Sequence, residues 1–326
     1  MTARLLHLVL AAPESKSVWL PEAASTEAAH TDALLYFLLG LSVFFFVLVI
    51  GATVLFAVKY RRREAGQRTA DIEGHKRLEV AWAVIPAILL VVIFAWGFRE
   101  YMRGAVAPRD ALEIRVTAQK WSWTFDYPKE GITTNELVVP VGRPVKLVMS
   151  SMDVIHSFYV PAFRVKRDVL PNRYTLTWFE ADRQGEFDIF CAEYCGTNHS
   201  RMLSKVKVKS DREYQEWIDS GGGMSGKGLS STAFGKLLFK KMGCATCHSV
   251  DGSKLVGPSL LGKFGETATL ADGSKVKIDD NYVRESIMKP NAKVVQGYEP
   301  VMPTFAGRLK DKQVNALIDY VKSLGK

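Results

Sequence analysis

Cysteine is scarce: the 326-residue chain has four, Cys191, Cys195, Cys244 and Cys247. That density excludes a disulfide scaffold. The four form two close pairs about fifty residues apart, each followed by a histidine. Such spacing reads as two separate cofactor sites. Acidic excess is missing as well, with 43 Lys+Arg against 34 Asp+Glu and a net charge of +9. An Arg-rich arm and a nucleic-acid motif are also missing, so the basic balance does not indicate nucleic acid as a partner. With 48% hydrophobic and 24% charged residues, the chain is neither disordered nor collagen-like. Its mean hydropathy of +0.01 is high for a soluble enzyme and low for a many-spanning transporter. A few membrane spans attached to a larger soluble part would give such a value.

Charge is absent from two stretches. Ala33 to Val58 is 26 residues without a charged side chain, and Val80 to Phe98 is another 19, with Pro86 near its start. About 20 apolar residues cross a bilayer, so the two runs predict a transmembrane hairpin within residues 31–106. Lys59, Arg61, Arg62, Arg63, Arg68, Lys76 and Arg77 fill the loop between them. Basic loops stay cytoplasmic, so both termini and everything from about Glu100 onward are expected on the outer side of a bacterial cytoplasmic membrane. Residues 1–30 are expected to be an N-terminal arm or a weak signal segment. Met1 to Ala12 carries Arg4 and a short apolar run, but no cysteine that could accept a lipid.

Residues 107–219 read as strands. Leu112, Ile114 and Val116 alternate with polar partners, as do Tyr174, Leu176 and Trp178, and then Phe187 and Ile189. Pro128, Gly131, Gly142, Pro144, Pro161, Pro171 and Gly185 punctuate them. Many short strands predict a β-sandwich or barrel. Late in this stretch, Cys191, Cys195, His199 and Met202 fall within twelve residues. Thiolate and thioether are soft ligands suited to copper or zinc, and imidazole suits both. A closed structural zinc shell has little use for methionine. With His156, which follows the apolar strand Val145 to Met149, the donors outnumber what one blue copper needs and suit two coppers bridged by two thiolates.

The segment Cys191-Ala192-Glu193-Tyr194-Cys195-Gly196-Thr197-Asn198-His199-Ser200-Arg201-Met202 resembles subunit II of haem–copper cytochrome c oxidases. It matches the pattern C-x-E-x-C-G-x-x-H-x-x-M at every fixed position. The resemblance implies an all-β cupredoxin domain holding the binuclear copper A centre. Cys191 and Cys195 would bridge the coppers, His156 and His199 would each bind one, and Met202 and the Glu193 carbonyl would complete the shells. The Glu193 carboxylate would bind a magnesium ion at the contact with subunit I. In the aromatic run Trp121-Ser122-Trp123-Thr124-Phe125-Asp126-Tyr127, strand period puts the four aromatics on one face, as core. The resemblance implies that Trp121 is also where electrons enter. It further implies that Glu79, at the cytoplasmic end of the second span, lies at the mouth of a proton path into subunit I.

Residues 220–230, glycine-rich from Gly221 to Gly228, read as a linker. Beyond it, Cys244-Ala245-Thr246-Cys247-His248 is the c-type haem attachment motif, and residues 231–326 are expected to be an all-α cytochrome c domain. Thr232 to Met242 and Asp311 to Leu324 read as helices, the second with Val314, Leu317, Ile318, Val321 and Leu324 at helical spacing. Gly257-Pro258 matches the family segment that supports the histidine. Met242, Met288 and Met302 are candidates for the sixth iron ligand. Met302, in the rigid loop Pro300 to Phe305, resembles the family's ligand residue.

The order of hairpin, copper domain, linker and haem domain resembles subunit II of caa3-type cytochrome c oxidases. The resemblance implies electron transfer from covalent haem c to copper A and on to haem a of subunit I, where oxygen is reduced and protons are pumped. Subunit III is then a further partner. A subunit of a copper A nitric oxide reductase is the alternative. Residues 221–326 hold seven of the nine net positive charges, which predicts an acidic electron donor or an acidic quinol-oxidising complex. Lipid is the third expected contact.

Overall fold

The computed structural model describes residues 20–68, 71, 73–224 and 226–325. The reading of Met1 to Ala12 lies outside the described residues.

Two long helices come first, α1 (Thr26–Lys59) and α2 (Lys76–Ala105). Both outrun their uncharged stretches, because capped polar turns extend them. The Ser25 hydroxyl accepts the Ala28 N–H at 3.2 Å, and His75 caps α2 by accepting the Leu78 N–H. Their most apolar windows have mean hydropathies of 2.8 and 2.5 and are entirely unburied by protein. In water that would be untenable; in lipid it is the expected state. Pro86 lies inside α2, which membrane helices tolerate.

The first turns of α1 are fastened to the soluble part. The Ala24 N–H donates to the Ala162 carbonyl at 2.9 Å, and the Ser25 hydroxyl to the Phe163 carbonyl at 3.0 Å. Asp32 accepts two hydrogen bonds from Arg164, at 2.8 and 2.9 Å, and both side chains are 8% exposed.

Ten strands form a sandwich. They are β1 (Leu112–Gln119), β2 (Ser122–Tyr127), β3 (Ile132–Thr134), β4 (Leu137–Pro140), β5 (Pro144–Ser151), β6 (His156–Val160), β7 (Val165–Val169), β8 (Thr175–Glu180), β9 (Gly185–Cys191) and β10 (Leu203–Lys209). One sheet has the order β3-β2-β1-β5-β8, the other β4-β10-β9-β6-β7. Neighbours are antiparallel except β1 with β5 and β4 with β10. Alternate residues of β1 and β5 point inward, as their period-two pattern requires. Phe125, Leu147, Phe158 and Ile189 fill the space between the sheets. All four aromatics of the run are buried, at 5% exposure or less. The Tyr127 hydroxyl ties β2 to β4, accepting the Val138 N–H and donating to its carbonyl.

Helix α3 (Asp211–Asp219), with a Ser210–Glu213 capping box, leads to the glycines. The C-terminal domain holds α4 (Ser231–Lys241), α5 (Cys244–Cys247), α6 (Asp280–Met288) and α7 (Asp311–Ser323), with a two-stranded ribbon of β11 (Thr267–Thr269) and β12 (Lys275–Lys277). Helix α4 crosses α7 at Gly235, where a Cβ would lie 1.9 Å from the Ala316 carbonyl oxygen. Only glycine permits that approach.

Candidate metal and haem centres

Strand β9 ends at Cys191, and the chain then turns back through a short 3-10 helix, His199–Arg201, to Met202 at the head of β10. Pairing of β6 with β9 sets Phe158 opposite Cys191, which brings His156 to the same end of the sheet. The two cysteine sulfurs are 3.7 Å apart. His156 Nδ1 is 3.8 Å from the Cys191 sulfur, His199 Nδ1 is 3.6 Å from the Cys195 sulfur, and the Met202 sulfur is 3.9 Å from that of Cys195. The Cys191 thiol donates to the Glu193 carbonyl at 3.2 Å. His156 and Met202 are completely buried.

A disulfide would need sulfurs about 2.05 Å apart, and both cysteines are free. Burial pushes both thiols up. At Cys191, hydrogen bonds from His156 and the Ser157 N–H prevail and bring it down to about 6; at Cys195, the neighbouring Cys191 charge adds to burial and holds it near 12. The pair therefore gives up one proton readily and keeps the second until a cation replaces it. Four buried soft or borderline donors and the half-buried His199, with a carbonyl beside them, fit the binuclear copper group. Glu193 itself is exposed.

Sequence reasoning missed Asp153, whose Oδ1 lies 2.8 Å from His156 Nε2. Its position three residues before the histidine was the available signal, since ligand histidines commonly have a carboxylate behind them. Trp121 lies against the cysteine loop: a Cβ at Gly196 would be 3.2 to 3.7 Å from its ring. Gly196 has φ +118°, so the close approach and the backbone conformation both call for glycine.

The second centre is a cavity of about 610 Å³ lined by Cys244, Cys247, His248 and Met302. His248 Nδ1 donates to the Pro258 carbonyl at 2.9 Å; the carbonyl can only accept, so Nε2 is left with its lone pair free. A Cβ at Gly257 would come within 2.6 to 3.1 Å of the imidazole. The Gly257-Pro258 segment thus clamps the ring from its side and from its edge. Met242 also lines the cavity; Met288 does not. Two thiols, an oriented imidazole and a thioether around an apolar void fit a covalent haem.

Glu79 stands apart from both centres, in the first turn of α2, where its carboxylate accepts the His75 N–H at 3.1 Å.

A membrane hairpin, a sandwich with a thiolate–imidazole–thioether pocket and a haem-attachment domain on one chain place it among the membrane-anchored redox proteins with two cofactors. A family model described as the transmembrane domain of cytochrome c oxidase subunit II matches residues 13–99, one for its periplasmic domain matches 131–209, and one for cytochrome c matches 232–325. Cytochrome c oxidase subunit 2 of Alkalihalophilus pseudofirmus is 31% identical over 296 residues, covering 85% of this chain and 84% of the relative. The Bacillus subtilis protein of the same name is 32% identical, covering 82% and 80%. A crystal structure of the periplasmic domain of subunit II of cytochrome oxidase from Bradyrhizobium japonicum has 32% identity, covers 36% of this chain and 98% of its own, and has a TM-score of 0.35. The chain belongs to the cytochrome c oxidase subunit 2 family and is an oxidoreductase subunit anchored in a membrane.

Proposed function

We propose that this chain is the subunit through which electrons enter a terminal respiratory oxidase. Electrons are taken up in the haem domain, pass through the copper domain, and go to haem a of a partner subunit I, where oxygen is reduced to water and protons are pumped. When bound, haem c and copper A supply one-electron chemistry at high potential. The chain's own residues hold and tune them. Cys244 and Cys247 would attach the haem, and His248 and Met302 would hold its iron. Cys191, Cys195, His156, His199, Met202 and the Glu193 carbonyl would hold the two coppers. The Glu193 carboxylate would hold a magnesium ion at the contact with subunit I, and subunit III would be a further partner. Seven basic residues in the connection and at the adjoining helix ends support a cytoplasmic loop, with both soluble domains on the periplasmic or outer side. The basic haem domain draws electrons from an acidic carrier or an acidic quinol-oxidising complex.

The observation that carries this reading is the convergence of four sulfur–sulfur and sulfur–nitrogen contacts of 3.6 to 3.9 Å in one buried pocket, on a chain that also bears a haem-attachment cavity. Co-purification with the catalytic subunit, with copper and haem analysis, is the test. Cys195→Ser should abolish the mixed-valence copper resonance while the haem stays reducible, and Met302→Ala should open a coordination position on the haem iron. A persisting copper resonance would overturn the ligand set.

A further inference from the structure

The haem cavity is not closed by its own domain. Ser122, Trp123, Thr124, Asn135 and Leu203 of the sandwich complete its wall. The seam between the domains is narrow. Val256 and Val301 of the haem domain pack against the sandwich core. Gly243, at φ +77° just before the first haem cysteine, comes so close to Asn135 that a Cβ would lie 3.4 Å from its amide nitrogen. Arg308 Nη2 donates to the Thr124 hydroxyl at 3.1 Å. Lys241 Nζ, at the end of α4, lies 2.8 Å from Glu136 Oε2.

Glu136 has two cationic partners. Lys207 Nζ, from the same sandwich, sits 2.9 Å from its other oxygen. Burial raises the Glu136 carboxyl, and the two ammonium groups outweigh it and hold it below the usual carboxylate range. If Lys241 leaves, Lys207 still pairs Glu136. Separation of the domains therefore strands no carboxylate, and the large penalty for breaking a buried pair does not arise. Arg308 and Asn135 also line the haem cavity, so the seam and the cavity wall share residues. The connecting glycines, Gly221 to Gly223 and Gly228, all have positive φ.

We propose that the outer face of β2, with the Asn135–Glu136 turn, is a reversible docking site for the chain's own haem domain, anchored by the Lys241–Glu136 contact. The face is suited to this use because it backs onto the copper pocket. Ser122, Trp123 and Thr124 all contribute to the haem cavity wall, and the Trp123 ring also meets His156 edge-on with ring centroids 6.3 Å apart. The consequence for function rests on the reading above: docked, the mouth of the haem cavity faces the copper domain; undocked, it faces an outside donor.

Carbodiimide cross-linking of the full chain in its membrane complex, read by mass spectrometry, tests the dock directly. At low salt, both Glu136–Lys241 and Glu136–Lys207 products should form. The Debye length falls from about 10 Å at 0.1 M to about 3 Å at 1 M salt, so the first product should fall several-fold relative to the second. A Glu136–Lys241 product that is absent, or unchanged in proportion, overturns the proposal. Hydrogen exchange supplies a second readout. Lys241→Glu should raise exchange at β2 and at Gly243–Cys247 together, and Lys241→Arg should not. Lys240→Glu, which changes the same helix end and the same domain charge, should leave the seam protected. Loss of protection throughout either domain, or equally in Lys240→Glu, would show a stability effect and refute the anchor. Copper and haem assays on the same preparations report separately on the function: cofactors present with no dock refutes only this inference, and a dock without cofactors refutes only the function.

Discussion

Asp153 Oδ1 lies 2.8 Å from Nε2 of His156, and the other ring nitrogen, Nδ1, faces the Cys191 sulfur at 3.8 Å. One imidazole is thus held by a carboxylate behind it and offered to a thiol in front. Burial works against the Asp153 charge, but the His156 hydrogen bond and the N–H groups of Lys120 and Val154 bring its pKa down to about 2. The carboxylate is therefore ionised and oriented before any metal arrives. It fixes which nitrogen of His156 is available to bind copper.

Asp153→Ala should then lower copper affinity by about 10- to 100-fold, the usual effect of removing a carboxylate behind a ligand histidine. Competition against a chelator of known affinity measures it, with covalent haem content as the control. Copper affinity unchanged within twofold would show that the sandwich core alone orients His156.

Much of this was legible in the sequence because the signals are local. Twelve residues carry most of the copper donors, five carry the haem attachment, and two uncharged runs carry the hairpin. Alternation marked β1, β8 and β9, although in β8 Tyr174 and Leu176 are exposed and Thr175 and Phe179 face the core. What stayed hidden depends on contacts far apart in the chain. Asp32 and Arg164 are 132 residues apart, and Glu136 and Lys241 are 105 apart; no periodicity links either pair. The β11–β12 ribbon is only three residues a side, too short for alternation to show. The expected arm runs to residue 30, whereas α1 already starts at Thr26. The structure uses these first turns to join helix and sandwich.

The Asp32–Arg164 pair should be the main fastening between α1 and the soluble part. Arg164 also donates to the carbonyls of Pro161 and Pro21, at 2.7 and 2.9 Å. Removing one member of a buried pair costs about 3–5 kcal/mol, because the other charge is left unpaired. Arg164→Met should show a loss of that order in denaturant unfolding of the full chain. The double change with Asp32→Leu should recover part of it. A double variant no better than the single would mean that the backbone contacts of Ala24 and Ser25, and not the charges, make the joint.

Glu79 has a structural use already, since its carboxylate accepts the His75 N–H. Gln keeps an oxygen acceptor at that point, so Glu79→Gln should leave α2 intact. If Glu79 opens a proton path into subunit I, the same variant should slow oxidase turnover several-fold while reduction of the chain's own haem is unaffected. Turnover at the parental rate, with α2 intact, would leave Glu79 as a helix cap alone.

Trp121 and Trp123 stand two residues apart and both are buried, yet they meet different surroundings. Trp121 leans on Gly196 in the cysteine loop and does not line the haem cavity. Trp123 packs edge-on to His156, and its strand neighbours Ser122 and Thr124 form part of that cavity. A free donor protein approaching the cysteine loop would meet the Trp121 side, and the chain's own haem domain meets the Trp123 side. Trp121→Phe should therefore slow reduction of the copper domain by an external donor, on the order of tenfold or about 1.4 kcal/mol of barrier, and leave reduction from within the chain unchanged. Trp123→Phe should do the reverse. Stopped-flow and flash-induced kinetics separate the two routes, and an unaltered copper resonance in each variant shows that the ligands have not moved. If either variant slows both routes alike, the two tryptophans serve a single port, and the separation of their surroundings has no kinetic meaning.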